Sequence, residues 1–335
     1  MRARDGHVTG HPRRAECSRR HPDAGRLEAR WARLGFVRDG EPLAVLDVGS
    51  NTVRLLVAKP TARGLENIDD ESRFVRLGTG VDASGELRTD RMEAALEAIS
   101  SLLTIARQRG AHTLEAIATS AVRDALNGPD FVLRVAEATG VDLRILAGDE
   151  EARLTALGAV SGLVVEGPAL VCDLGGGSAA IISMVSGETA WAHVVPLGSG
   201  RLSERFIHVD PPSPEELAAL STHVNDLLDS LPPASPRTAI LTGGTATHIA
   251  RLAECEGSTT SLTLTDLAHV REVVTSLSAA EVVEAHGVTL DRAQVLPAGV
   301  TAVHAIVMHY AVSRIVVTRH GIREGAMLDV LQRRD

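Results

Sequence analysis

The stretch that most limits what this chain can become occurs twice. LAVLDVGSNTVRLLVA (43–58) and ALVCDLGGGSAAIISMV (169–185) each run apolar into an Asp, turn on glycine, and run apolar again. Short apolar runs bounded by turn residues read as buried strands joined in a hairpin. One glycine-rich hairpin alone is no more than a tight turn. Two of them, with an Asp at the same place in each, predict a duplicated unit. Glycines in such a turn let backbone N–H groups face an anion unobstructed, and the strand-end Asp projects beside it.

After each hairpin the chain alternates helices and strands. In the first half, SRFVRLG (72–78), LEAIATS (114–120) and VDLRIL (141–146) read as strands. Met92, Ala95, Leu96, Ile99, Leu102, Leu103 and Ala106 fall at helical spacing between Thr89 and Gly110, and Pro129 opens a helix that ends near Thr139. GDEEARLTALGAV (148–160) is a helix whose acidic first turn suits the positive end of its dipole. In the second half, ETAWAHVVPL and SRIVVTRHG (313–321) are strands and TAILTGG (238–244) is a strand entering a turn; SGRLSERFI, PSPEELAALSTHVNDLLDSL and IREGAMLDVLQRR are helices. The fold class is therefore α/β, with mixed sheets covered by helices and a ligand cleft between the halves.

The 335 residues suffice for two such halves. A net charge of -9 and an aromatic content of 2% argue against nucleic acid as a partner. Cys17, Cys172 and Cys255 have no metal or disulfide spacing, which points to a reducing, cytoplasmic setting. No apolar run approaches the ~18 residues of a membrane span. Residues 1–40, rich in Arg and His, read as a basic extension outside the fold.

The candidate chemistry lies in the turns. Asp47 with Gly49, Ser50, Asn51 and Thr52 forms one loop; Asp173 with Gly175, Gly176, Gly177 and Ser178 forms the other; Gly243, Gly244 and Thr245 of TGGTATH form a third. An Asp beside bound phosphates can hold a hydrated Mg²⁺ or Mn²⁺. Glu150 and Glu151 read on ordinary grounds as helix caps. His193, His304, His309 and His320 share no ligand spacing.

DVGSNTVRLLVA, ATSAVRDALN, GDEEARLTALGAV, DLGGGS, VVPLGSGRLSERFI, TGGTATHIARL and GIREGAMLD occur here in order between Leu43 and Asp329. In this the chain resembles the exopolyphosphatase / guanosine pentaphosphate phosphohydrolase family, in its short two-domain form. The resemblance implies a duplicated actin/Hsp70/sugar-kinase-like (ribonuclease H-like) fold, with halves at 41–154 and 155–335 and the last helix, about 322–335, packing back on the first half. It implies that Glu151 is the catalytic carboxylate and Asp173 a catalytic, metal-associated Asp. Asp47, Asp173 and Glu151 are then the metal carboxylates, and the loop residues, with Arg123 and Arg201, the phosphate cradle. Arg76 and Arg323 also sit in family-like motifs, and for each arginine a surface ion pair is the alternative. Arg153 reads as structural. A homodimer is a further family expectation.

The sequence departs from the family at Ala180, where members commonly carry Glu in a GGGS-x-E pattern. The expected function is metal-dependent hydrolysis of the terminal phosphate of inorganic polyphosphate. The alternatives are guanosine pentaphosphate as substrate, or a member impaired by Ala180 that binds polyphosphate or an alarmone nucleotide. A kinase on the same fold is disfavoured by the EEAR helix.

Overall fold

The computed structural model describes residues 40–333 apart from 62, 63 and 256; the expected basic extension lies outside them, Gly40 excepted. The first hairpin is β1 (Leu43–Val48) and β2 (Thr52–Thr61), extended by the edge strand β3 (Gly64–Phe74). Helices α1 (Val81–Ser84) and α2 (Thr89–Gln108) lead to β4 (Thr113–Ala118); α3 (Ser120–Asp124) and α4 (Gly128–Thr139) lead to the two-residue β5 (Arg144–Ile145). The sheet order is β3-β2-β1-β4-β5, with the three hairpin strands antiparallel and β4 and β5 parallel to β1.

Helix α5 (Gly148–Ala159) crosses to the second half. There β6 (Ala169–Leu174), β7 (Ala179–Val185) and β8 (Glu188–Val195) repeat the meander. Helices α6 (Ser199–Phe206) and α7 (Pro214–Asp229) precede β9 (Thr238–Thr242); α8 (Gly243–Leu252) precedes β10 (Thr259–Leu262). Then come α9 (Leu264–Ser276), α10 (Ala279–His286), α11 (Leu290–Ala293), α12 (Leu296–His309), β11 (Arg314–Thr318) and α13 (Ile322–Gln332). The second sheet runs β8-β7-β6-β9-β11, with the same strand directions as the first, plus an antiparallel β10 at the edge. Two sheets of one strand order make this the duplicated actin-like α/β fold.

Each sheet buries both faces. In the first, Ala44, Leu46, Val53 and Leu55 pack beneath α2 and α4, while Leu43, Val45, Leu56 and Ala58 face Leu154 of α5 and Ala326 and Met327 of α13. In the second, Val171, Ala180 and Ile182 face Ala152, Ala156 and Ala159 of α5. Helices α5 and α13 thus lie between the sheets. Their backbones touch: a Cβ on Gly158 would sit 1.7 Å from the Gly321 carbonyl oxygen, and one on Gly325 1.8 Å from that of Leu154.

Two expected strands differ most from the fold. The third strand occupies 64–74 instead of 72–78, because Val75 and Arg76 leave the sheet to donate both backbone N–H groups to the Asn51 carbonyl. Arg76 is left-handed there, at φ 51°. Charge masked the true strand, whose GLENIDDE segment is largely solvent-facing. VDLRIL contracts to Arg144–Ile145. In the second half, TAILTGG is as expected: its strand ends at Thr242 and the chain turns at Gly243 into α8. Among the described residues no helix is long and apolar enough to cross a membrane.

Candidate active site

Strand register puts the two Asp residues in equivalent positions, fifth of six in β1 and in β6. Asp47 faces Arg54 across its hairpin; Asp173 faces Ala180 across the other. Directly opposed residues of an antiparallel pair share a face. Both carboxylates therefore emerge on the face turned toward α5 and α13, where the two sheets approach. They border a cleft of about 610 Å³ lined by both hairpin turns, the start of α8, Glu151 and residues of α13.

The two loops meet tip to tip. A Cβ on Gly177 would lie 2.4 Å from Ser50 Oγ, and one on Gly176 2.5 Å from Asn51 Cγ, so only glycine permits the contact. The second loop is gripped from behind. Ser199 and Gly200 at the start of α6 donate N–H groups to the Gly175 and Gly176 carbonyls (2.8 Å each), and Arg201 Nε donates to the Gly177 carbonyl (2.9 Å). With its carbonyls taken, the loop keeps the N–H groups of Gly176 and Gly177 unpaired among the described residues, as are those of Ser50 and Asn51. Unpaired amides converging on a cleft form an anion nest.

Glu151 sits in the first turn of α5, buried at 7% exposure. Arg123 Nη1 donates to its Oε2, and Ser178 Oγ donates to Oε1 (3.3 Å). Burial pushes its pKa up, against the lowering pull of Arg123 and Ser178. Asp47 and Asp173 are each pushed up to about 6, chiefly by burial, against the lowering pull of Arg54; the Glu151 charge raises both further, and Asp47 raises Asp173. Asp47 Oδ1 is buried and has no hydrogen-bond partner. Gly243, at φ 82°, lies so close to Asp173 that a Cβ there would fall 2.1 Å from Oδ1.

Asp47, buried with an orphaned oxygen, and half-buried Asp173 fit a divalent cation, since Mg²⁺ keeps several waters and needs only one or two carboxylates. The expected set of three does not assemble: among the described residues no group of three or more His, Cys, Asp or Glu has metal-holding geometry. Glu151 spends both oxygens on Arg123 and Ser178, and Ala180 packs in an apolar cluster with Ala152.

The raised carboxylates carry a prediction. A carboxyl whose folded pKa lies above its unfolded value contributes stability that is fully present below the unfolded pKa and is lost as pH rises through the folded one. For Asp47 that window runs from 3.8 to about 6. Asp47→Asn therefore stabilises the metal-free protein at about pH 8, by roughly 3 kcal/mol at most, and changes little near pH 4. Urea titrations at the two pH values in chelator check this; equal effects at both would refute the buried-charge account.

Beside the carboxylates the cleft is basic. Arg54 from β2 and Arg292 from α11 converge on Gly244, whose Cβ would meet their Nη2 atoms at 2.6 and 3.1 Å. Neither forms an ion pair among the described residues. Arg292 donates to Thr52 Oγ1 (2.9 Å) and lies over the Phe74 ring at 4.8 Å; burial and Arg54 push its pKa down to about 10. His248, its Nδ1 2.7 Å from the Gly244 carbonyl oxygen, is pushed down to about 4 by burial and is neutral.

The profile of the Ppx/GppA phosphatase family matches residues 56–334. The chain belongs to the Ppx/GppA phosphatase family. It is 33% identical over 308 residues to Exopolyphosphatase 1 of Mycobacterium tuberculosis, covering 85% of this chain and 87% of that one. The Ppx/GppA family member of Aquifex aeolicus superposes with a TM-score of 0.75 at 25% identity, over 88% of this chain and 99% of that one. An exopolyphosphatase from Cytophaga hutchinsonii shares the fold, with a TM-score of 0.81 at 23% identity, over 87% and 98%.

Within this phosphatase, Asp47, Ser50, Asn51, Thr52, Glu151, Asp173, Gly175, Gly176, Gly177, Ser178, Gly243 and Gly244 all line the one cleft. Three expected phosphate residues do not. Thr245 is buried and donates its hydroxyl to the Leu174 carbonyl (3.0 Å), pinning α8 to the end of β6. Arg123 turns to Glu151, and Arg201 lies behind the second loop on Asp82 and Asp124. Arg76 reaches across to Asp291 (3.4 Å); Arg323 lines the cleft but pairs with Asp70 there (2.5 Å); Arg153 pairs with Asp329 (2.9 Å).

Sequence reading missed Arg54, Arg292, His248 and Arg251 among the cleft residues. Arg54 had a signal: an arginine inside an apolar strand, on the face that carries Asp47. Arg292, on a four-residue helix, had none.

Proposed function

We propose that this phosphatase is an exopolyphosphatase that removes the terminal phosphate of inorganic polyphosphate. The observation that carries the reading is the convergence of Arg54 and Arg292 on Gly244 in one cleft, with no close ion pair among the described residues and with only Arg54 of the two feeling the field of Asp47 and Asp173. Bringing two guanidinium groups together at a part-buried site costs free energy, which a polyanion lying between them offsets. A chain of phosphates fits that requirement with any counter-group at its far end.

The terminal phosphoryl group sits on the nest formed by the two glycine loops, whose N–H groups take up the charge that spreads over its oxygens. Glu151, fixed by Arg123 and Ser178, orients the attacking water and accepts its proton. Arg54 and Arg292 hold the phosphates behind the scissile one. Asp47 and Asp173 are the residues that would hold a divalent cation, which would supply charge neutralisation at the transferring phosphoryl group.

Two further readings each have an observation behind them. The cleft continues past His248 to Arg251, Gly287 and Val288, room in which a nucleoside such as that of guanosine pentaphosphate could lie. Ala180 opposite Asp173 favours a weakly active binding protein, because it removes a carboxylate from the cation's side of the cleft. Phosphate release with Mg²⁺ from long-chain polyphosphate, short oligophosphates and guanosine pentaphosphate separates the three. Preferred release from polyphosphate supports the proposal; preferred release from guanosine pentaphosphate replaces the substrate. Tight polyphosphate binding without release from any of them favours the binding reading.

A further inference from the structure

Arg201 lies on the far side of the second glycine loop from the cleft, with its side chain 17% exposed. Its donors reach three separate places. Nε donates to the Gly177 carbonyl (2.9 Å), Nη1 to Asp82 Oδ1 (2.6 Å) and Nη2 to Asp124 Oδ2 (2.7 Å). Asp82 is on α1 and Asp124 ends α3, both in the first half of the chain, whereas Arg201 is on α6 in the second. One planar guanidinium therefore spans the halves, and its fixed fork satisfies both carboxylates only at one separation.

Asp124 passes the constraint on. Its Oδ2 also accepts from Ser120 Oγ (3.0 Å), and its Oδ1 pairs with Arg123 Nε at 3.5 Å. Arg123 Nη1 donates to the Leu146 carbonyl (3.2 Å) and to Glu151 Oε2. Glu151 Oε1 accepts from Ser178, the neighbour of Gly177 in the chain. The contacts close a ring through Gly177, Arg201, Asp124, Arg123, Glu151 and Ser178. Neither Arg201 nor Asp124 lines the cleft.

We propose that Arg201 and Asp124 are positioning residues that tie the orientation of Glu151 to the docking of the two halves. The ring closes only when α6 and α3 are in register, so the carboxylate is held for water attack only in the closed arrangement. Arg201 fixes both the loop that cradles the phosphate and, through Asp124 and Arg123, the group that activates water. This rests on the hydrolase reading for its kinetic consequence, but the ring itself has a readout independent of turnover.

The test uses Arg201→Gln and Asp124→Asn, singly and together, in the full-length protein. Each lowers kcat for phosphate release from polyphosphate about tenfold or more while KM stays within about threefold, and the double variant is no worse than the poorer single one. Amide deuterium uptake rises in both 148–152 and 175–178 in each variant, including Asp124→Asn, which makes no contact with the second loop. Unchanged kcat in folded variants, additive losses accompanied by a higher KM, or uptake changes confined to neighbours of the substituted residue would overturn the proposal. Should Arg201→Gln fail to fold, the isosteric Asp124→Asn decides alone. A wild-type protein that releases phosphate from no substrate sinks the functional reading, and the exchange experiment then still decides the ring.

Discussion

Replacing Glu151 by Gln lowers kcat for phosphate release by about 10²–10⁴-fold, with affinity for the phosphate chain held within about threefold. The size follows from what the substitution removes. Glutamine keeps the shape, and its carbonyl oxygen still accepts from Arg123, so α5 and the second loop stay in place. What it lacks is the second carboxylate oxygen, which accepts from Ser178 and whose remaining lone pair takes the proton from attacking water. The cradle amides of Ser50, Asn51, Gly176 and Gly177 are untouched, so binding survives. Calorimetric titration with polyphosphate alongside the release assay checks both halves of the statement. A variant that turns over at the wild-type rate would remove Glu151 from the chemistry. One that loses binding as well would make it part of the cradle.

Gly158→Ala destabilises the protein by at least about 4 kcal/mol, the range reserved for backbone clashes and core disruption. The added methyl would sit 1.7 Å from the Gly321 carbonyl oxygen and 2.7 Å from Gly325 N, main-chain atoms that no rotamer change can move aside. Helix α5 must therefore back away from α13. The same helix carries Glu151 in its first turn and lies against both sheets, so phosphate release falls with stability. Gly148→Ala on the same helix is the control: its methyl would meet Val194 Cβ at 3.5 Å, an ordinary contact, and the change stays within about 1 kcal/mol. Denaturant titration of the two variants measures the difference. Wild-type stability in the Gly158 variant would show that the helices do not touch in solution.

How far the sequence could be read depended on whether the signal was local. The hairpins, the long amphipathic α2 and the acidic start of α5 are stated by neighbouring residues, through period and turn chemistry. The edge strand β3 was misplaced because an exposed edge imposes no apolar pattern on GLENIDDE. The glycine loops were legible as candidate anion sites because the proposed nest is made of backbone N–H groups, which the glycines leave open. The arginines were harder. A guanidinium at the end of a flexible side chain can turn to the cleft or to a carboxylate behind it, and motif position does not say which.

The sequence by itself determined the duplication, the α/β class and the family, and with them the twin Asp-bearing loops and Glu151. These follow from order along the chain. Only the tertiary structure decided that Arg123 holds Glu151, that Arg201 bridges the halves behind the second loop, and that Arg54 and Arg292 face the cleft unpaired. Those roles depend on which charges are brought together across separations of 28 residues for Arg123 with Glu151 and 119 for Arg201 with Asp82. Coulombic and hydrogen-bond partners are chosen by distance in space, and spacing along the chain carries no record of that choice.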